Sequence, residues 1–550
     1  MKKKIPLLLA STLTVSMLGA CSYQKEDNKA GAKEKSSNKQ VLNLTETAEI
    51  PTMDTTLSTD ATSSNIMNNT MEGLYRLGKD DKLVPGVAKS YEKSEDGKKY
   101  VFKLREDAKW SNGEPVTAKD FVYSWRRAVD SNTGAKFAYI LFDVKNAEKV
   151  NKKELPVEEL GVKAIDDHTL EVELDNPVPY FVSLTVYPTL YPLNEKFVTE
   201  QGAKFGLESN TTLYNGPFVL NEWKHEQSFQ LKKNPSYWEN KEVKLEEINF
   251  NIVKDRSTAI NLYETKAIDR VVLTSEFVDK YKSDADFKTI KRPSTQFIRL
   301  NEKNKFLANK NIRKAIAMSF ERENIGKVIL NDGSEGIYGF VPKGLAKGPN
   351  GKDFREENGK LIKEDMKEAQ KYWEAGKKEL GVDKVELELL NFDTDDAKKI
   401  GEYLKGQFEK NLPGLTVPTK MQPFAQKLKL EASGDYAMSY AGWSPDYMDP
   451  MSFLEMYTTG NAQNKVHYAN PAYDDLIKKA KTEVDVQARW DALLQAEKQL
   501  LEDAAIAPVY QPGKAYLQRG SITGLLEHKY GGEFSYKWVE LKTKNGFHHE

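Results

Sequence analysis

Apolar and polar positions along this chain repeat with two different periods, and the switches between them outline its elements. Val41 to Thr45 alternates weakly as a strand, and Glu46 to Asp54 follows as a polar loop broken by Pro51. A turn at Asp96-Gly97 leads into Tyr100-Val101-Phe102-Lys103-Leu104, a strand with Tyr100, Phe102 and Leu104 on one face. Thr117 followed by Asp120 is a capping-box-like start, after which Phe121, Trp125 and Ala128 recur at helical spacing. Thr169 to Leu174 reads as a strand with Leu170, Val172 and Leu174 on one side. Val385 to Leu390 reads as another. A helix with Ile400, Tyr403, Leu404 and Phe408 in register and an apolar segment around Leu415 and Val417 complete a β-α-β unit. A late helix carries Trp490, Leu493, Leu494, Glu497 and Leu501, and Ala507-Pro508-Val509-Tyr510 leads into terminal strands. The pattern predicts an α/β protein of open sheets rather than a barrel.

One stretch combines unusual chemistry. After the strand-like run Tyr436 to Ala441 comes Gly442-Trp443-Ser444-Pro445-Asp446-Tyr447-Met448-Asp449-Pro450, ending at a proline suited to open a helix. Read as a loop, it offers bare backbone at Gly442, a flat apolar wall at Trp443 and a fixed negative charge at Asp446. The residues alone leave two readings of Asp446 open: a turn or cap aspartate bonding nearby amides, or a counter-ion for a small cation. Asp449-Pro450 reads as a helix start. Gly442 to Asp446 approaches the GxSxG nucleophile elbow but has Asp446 in place of the second glycine. None of the six histidines falls in a pattern that supplies a partner base, which disfavours a serine hydrolase acting at Ser444. No Gly-Lys pair precedes Ser or Thr as in a P-loop, and no HExxH or cysteine cluster suggests metal, so no cofactor is expected.

The 550 residues are too many for one core and imply two or three domains. Lysine and arginine number 81 against 82 acids, a balance that gives no sign of nucleic-acid binding. At the N-terminus, Lys2-Lys3-Lys4 precedes an apolar run from Ile5 to Leu18 and then Leu18-Gly19-Ala20-Cys21. This order matches a signal peptide, and the run is shorter than the ~20 apolar residues of a membrane span. Cys21 is the only cysteine. Ser22 to Gln40 is polar and reads as a flexible tether.

The Leu18–Cys21 stretch resembles a bacterial lipobox, which implies that Cys21 is lipidated and heads the mature chain as an anchor on the outer membrane face. A second resemblance covers essentially the whole mature chain. Pro85-Gly86-Val87-Ala88, Trp110-Ser111-Asn112-Gly113, Asp120-Phe121-Val122-Tyr123-Ser124-Trp125, Tyr214-Asn215-Gly216-Pro217-Phe218, Asn234-Pro235-Ser236-Tyr237-Trp238 and Asn311-Ile312-Arg313-Lys314-Ala315-Ile316, with the 442–450 stretch, resemble the extracellular oligopeptide-binding proteins of peptide ABC importers, family 5, cluster C. The resemblance implies a type II periplasmic-binding-protein-like bilobal fold with an additional inserted domain. Its parts would be a signal peptide over 1–20, a lipidated tether over 21–40, a discontinuous lobe over 41–61, 196–297 and 511–550, an insertion over 62–195, and a further lobe over 298–510.

The same resemblance implies a non-enzymatic, monomeric receptor that passes oligopeptides to a permease with separate ATPases. Relatives on this fold also include peptide pheromone receptors and binders of metal complexes or haem. Asp446 would take the peptide α-ammonium, with backbone at Gly442 and Ser444 pairing to the peptide and Trp443 and Tyr447 beside it. The loop around Glu49 and Ile50 would supply the opposite backbone edge, and Phe137 an aromatic wall, ordinary core packing being the competing reading. Asn215 and Gly216 are better explained as a strand-entry turn. Two departures stand out: Ala437-Met438-Ser439-Tyr440 lies where several relatives carry an arginine, leaving Tyr440 as an uncharged donor, and Lys398 lies where some carry a histidine near the peptide C-terminus. A surface position for Lys398 is the simpler reading.

Overall fold

The computed structural model describes residues 40–461 and 463–542, so the signal-peptide, Cys21 and tether readings lie outside the described residues, Gln40 apart. Four principal sheets organise the chain. The first joins Val41–Glu46 in parallel to Glu247–Ile252, which continues antiparallel to Ser228–Lys233 and Phe218–Lys224. An antiparallel sheet of Ala88–Lys93, Lys99–Leu104, Thr169–Glu173 and Val162–Asp166 is built from the middle of the first half. Three strands, Arg270–Val272, Gly513–Gln518 and Phe287–Lys291, form another. The largest runs Glu335–Gly336, Ile506–Gln511, Thr295–Leu300, Met438–Trp443, Leu389–Phe392 and Thr419–Gln422. None of these sheets closes on itself, as the alternating pattern predicts.

Local signals act as expected. Thr117 N–H donates to Asp120 at 2.7 Å in a capping box that starts the helix Ala118–Val129, and Phe121, Trp125 and Ala128 bury its inner face. Tyr100, Phe102 and Leu104 point into the same core. The run Val385–Leu390, expected as one strand, is two. Val385–Glu386 pairs with Leu415–Thr416, and Leu389–Phe392 pairs with Thr419–Gln422. Pro418 lies at the break; without an N–H it can only accept, from Leu389, and the ladder is interrupted there.

Two chain segments pass side by side between the three-stranded and the six-stranded sheets, one at residues 292–294 and the other at residue 512. Arg292 N–H donates to Pro512 O at 2.8 Å, and Gln511 Nε2 donates back to Arg292 O at 2.8 Å. One apolar cluster runs from the antiparallel sheet (Phe102, Trp125, Phe181) to the helices against the six-stranded sheet (Tyr447, Met451, Phe453, Trp490). The molecule is thus bilobal, with its two halves meeting around the 444–449 segment.

Candidate functional site

The stretch read as a loop from Gly442 begins instead inside a strand. Met438–Trp443 includes both Gly442 and Trp443, which pair with Gln296 and Thr295. A Cβ at Gly442 would lie 2.5 Å from the Gln296 side-chain amide, so a larger residue here would require that side chain to swing away. The other edge of this strand is paired with Leu389–Phe392 only at Met438 and Ser439. From Tyr440 to Trp443 that edge has no strand partner among the described residues, so a stretch of backbone leading toward Asp446 is available for pairing.

The turn after the strand is fastened at Ser452. Its carbonyl accepts from Trp443 Nε1 at 2.8 Å, and its hydroxyl accepts from the Asp446 N–H at 2.8 Å. Asp449 accepts from the Met451 N–H at the start of the helix Met451–Leu454 and holds Arg489 through two bonds of 2.8 Å. Asp449 therefore serves the helix start and the scaffold, and the carboxylate of Asp446 is left free to face inward.

Asp446 is half-buried, and its only hydrogen-bond partner on the carboxylate among the described residues is Tyr139 Oη, at 3.5 Å. No lysine, arginine or histidine pairs with it among the described residues. Burial pushes its pKa up to about 7 and the nearby Glu455 carboxylate adds to the rise, while the Tyr139 bond opposes it. Glu455 is itself neutralised in part by Lys481 Nζ at 2.7 Å. A carboxylate partly removed from water beside a second one, with no cation of its own among the described residues, can be satisfied by a proton or by a positively charged ligand group.

Aromatic residues from the other half of the molecule enclose this turn. Tyr180 stacks on Tyr447 with ring centroids 3.9 Å apart and 7° between planes, and Tyr187 Oη donates to Pro445 O at 3.5 Å. Phe137 has its ring centroid 5.8 Å from that of Tyr139, the residue that touches Asp446, and also packs against the large apolar cluster, as the core-packing reading expects. Ser444 Oγ shares a hydrogen bond with Ser294 Oγ at 2.9 Å, and no histidine bonds it among the described residues.

Trp443, Ser444, Asp446, Tyr447 and Phe137 are therefore gathered in one place, with one ring face of Tyr447 occupied by Tyr180. Tyr440 has a different setting from a cleft donor: it is buried in the core of the six-stranded sheet, and its hydroxyl pairs with Tyr510 Oη at 2.8 Å. Ile50 is likewise buried in the core of the first sheet. The Glu49 carboxylate is taken by Trp223 Nε1, His225 Nδ1 and the Glu226 N–H, although the Glu49 and Ile50 backbone enters none of the described backbone hydrogen bonds. Lys398 is exposed in the first turn of the helix Asp395–Asn411, without a described side-chain partner. Neither Glu49, Ile50 nor Lys398 touches the Asp446 group through a described hydrogen bond or ring contact.

Tyr139, Tyr180, Tyr187, Ser452 and Glu455 were not anticipated from sequence. Ser452 had a local signal, since it follows a recognised helix start by two residues; the tyrosines are brought in by tertiary packing alone.

The profile of bacterial extracellular solute-binding proteins, family 5 (Middle), matches residues 82–465. This chain belongs to that family. The dipeptide-binding protein DppE of Bacillus subtilis is 35% identical over 542 residues, covering 98% of this chain and 99% of that protein. The substrate-binding domain of an oligopeptide ABC transporter from Bacillus anthracis is 54% identical, with a TM-score of 0.81 over 92% of this chain and 99% of that one. Listeria monocytogenes OppA bound to peptide is 43% identical, with a TM-score of 0.80 over 92% and 100% of the two chains. Among the described residues no helix is long and apolar enough to cross a membrane.

Proposed function

We propose that this chain captures peptides between its halves and delivers them to a membrane permease driven by separate ATPase subunits. The observation that carries the reading is the half-buried carboxylate of Asp446, which has no cationic partner among the described residues and lies three residues past an open strand edge. A peptide α-amino group has a pKa of ~8 and is charged at neutral pH, so it is a natural counter-ion for this group. The backbone edge from Tyr440 to Trp443 would bind an extended chain without reading its side chains, and Phe137 and Trp443 would flank its first residues. Family membership and the names of the relatives support a peptide as the ligand. The hydroxyl of Ser444 is engaged by Ser294, which favours binding without cleavage.

The lobes are taken as 41–61 with 196–297 and 511–550, 62–195, and 298–510; the two connections at residues 292–294 and 512 support a hinge there. Cys21 is taken as a lipid anchor on the outer membrane face, and the receptor as a monomer. Native mass spectrometry of the protein purified from cells tests the function. Intact bound peptides, released by denaturation and unchanged on incubation, are the expected result. Steady production of fragments that stops in Ser444→Ala would contradict it.

A further inference from the structure

Behind the open edge, the strands Thr295–Leu300 and Met438–Trp443 share a buried charged node. Arg299 and Ser439 are register partners, and Lys427 and Glu431 reach them from one face of the helix Phe424–Ser433. Lys427 Nζ lies 2.5 Å from Glu431 Oε1, and Ser439 Oγ donates to the same oxygen at 2.6 Å. Arg299 Nε stands off at 3.6 Å, and the charged side chains of Arg299, Lys427 and Glu431 are 7%, 1% and 4% exposed.

This leaves the guanidinium only partly satisfied, with its carbon 5.3 Å from the centroid of the Phe297 ring. Neither Nε nor Nη1 of Arg299 has a hydrogen-bond acceptor among the described residues, and the hydroxyl of Tyr457, fully buried within the electrostatic reach of Arg299, has no partner either. Burial works against ionised Glu431, but Arg299 and Lys427 outweigh it and hold its pKa below the ordinary value. Two cations therefore face one carboxylate. A water molecule would satisfy a donor direction and leave the excess charge; an anion answers both.

We propose that this node binds one small monovalent anion, held by Nε and Nη1 of Arg299 with the Tyr457 hydroxyl as a further donor. The anion is either free chloride or a carboxylate of the captured ligand; the second source, unlike the first, rests on the peptide reading above.

Bromide-soaked crystals and solution titrations separate these sources. Anomalous scattering is expected to show bromide within hydrogen-bond distance of Arg299 in the natural protein and not in Arg299→Met. Replacing gluconate by chloride at constant ionic strength is expected to raise the melting temperature saturably. Tyr457→Phe keeps the ring and should raise half-saturating chloride about tenfold, the worth of one hydrogen bond to a charge. If the ligand supplies the anion, amidating the C-terminus of a peptide recovered from the protein should weaken binding about tenfold, and less in Tyr457→Phe. Only water at the site, no chloride-specific shift and equal affinity for both peptide forms would overturn the proposal. A bromide peak combined with no peptide binding would uphold the node and reject the peptide reading alone.

Discussion

Asp446 has opposite pH consequences in the free and the occupied protein. Its carboxyl pKa is raised from 3.8 to about 7, first by burial and then by Glu455. Between those values the folded state keeps a proton that the unfolded chain has lost, so this group's contribution to stability declines as pH rises through that window. An ammonium reverses the preference by stabilising the carboxylate. Affinity should climb with pH to about 7 and fall above about 8, where the peptide amine deprotonates. Calorimetry across that range reads both limbs, and a flat profile would count against the assignment. Tyr139→Phe removes the only described hydrogen bond to the carboxylate. At 3.5 Å that bond is long, so the expected loss is about twofold to fivefold in affinity for free peptides, with N-acetylated peptides unaffected. Asp446, Trp443 and Ser444 were legible because they are contiguous. Tyr440 lies in the sheet core and not in a cleft for a physical reason: an aromatic side chain next to such a turn shows the same local pattern whether it faces the cleft or the core behind it.

At the scale of elements, the turn depends on a scaffold that makes no use of a ligand. Arg489, in the helix Val486–Glu502, and Asp449 are 8% and 12% exposed at their side chains and meet in two parallel bonds. Arg489→Ala should cost about 3 to 5 kcal/mol in urea unfolding, because it leaves a buried carboxylate unpaired. Asp449→Asn in the same background should recover part of that loss. Ser452→Ala should unfold at nearly the same urea concentration yet bind peptide less well, since it frees the Asp446 amide. Equal binding by this variant would show that the turn does not need the clamp. Several helices and strands were legible because capping and periodicity are local, as with Thr117 and Asp120. The division of Val385–Leu390 was not, because it depends on where Pro418 falls in a partner strand that is adjacent only after folding.

For the molecule as a whole, the pairing of Val41–Glu46 with Glu247–Ile252 shows why the sheet arrangement could not be read from periodicity. Which distant strands become neighbours leaves no mark on either of them, and the family resemblance implies lobes without naming strand partners. The tyrosines around the Asp446 turn come from the opposite half of the molecule, so the proposed closure and charge capture would be coupled. Tyr180→Ala removes the stack on Tyr447, and small-angle scattering of the unliganded variant should show a larger radius of gyration that peptide reduces. Identical radii with and without peptide would remove closure from the account. The central claim is that a ligand ammonium pairs with Asp446, and calorimetry of a recovered peptide and its N-acetylated form, on the natural protein and Asp446→Asn, tests it most directly. Acetylation should weaken binding to the natural protein by about 1.5 to 3 kcal/mol and make little difference to the variant. Equal affinity of the natural protein for both forms would contradict the account.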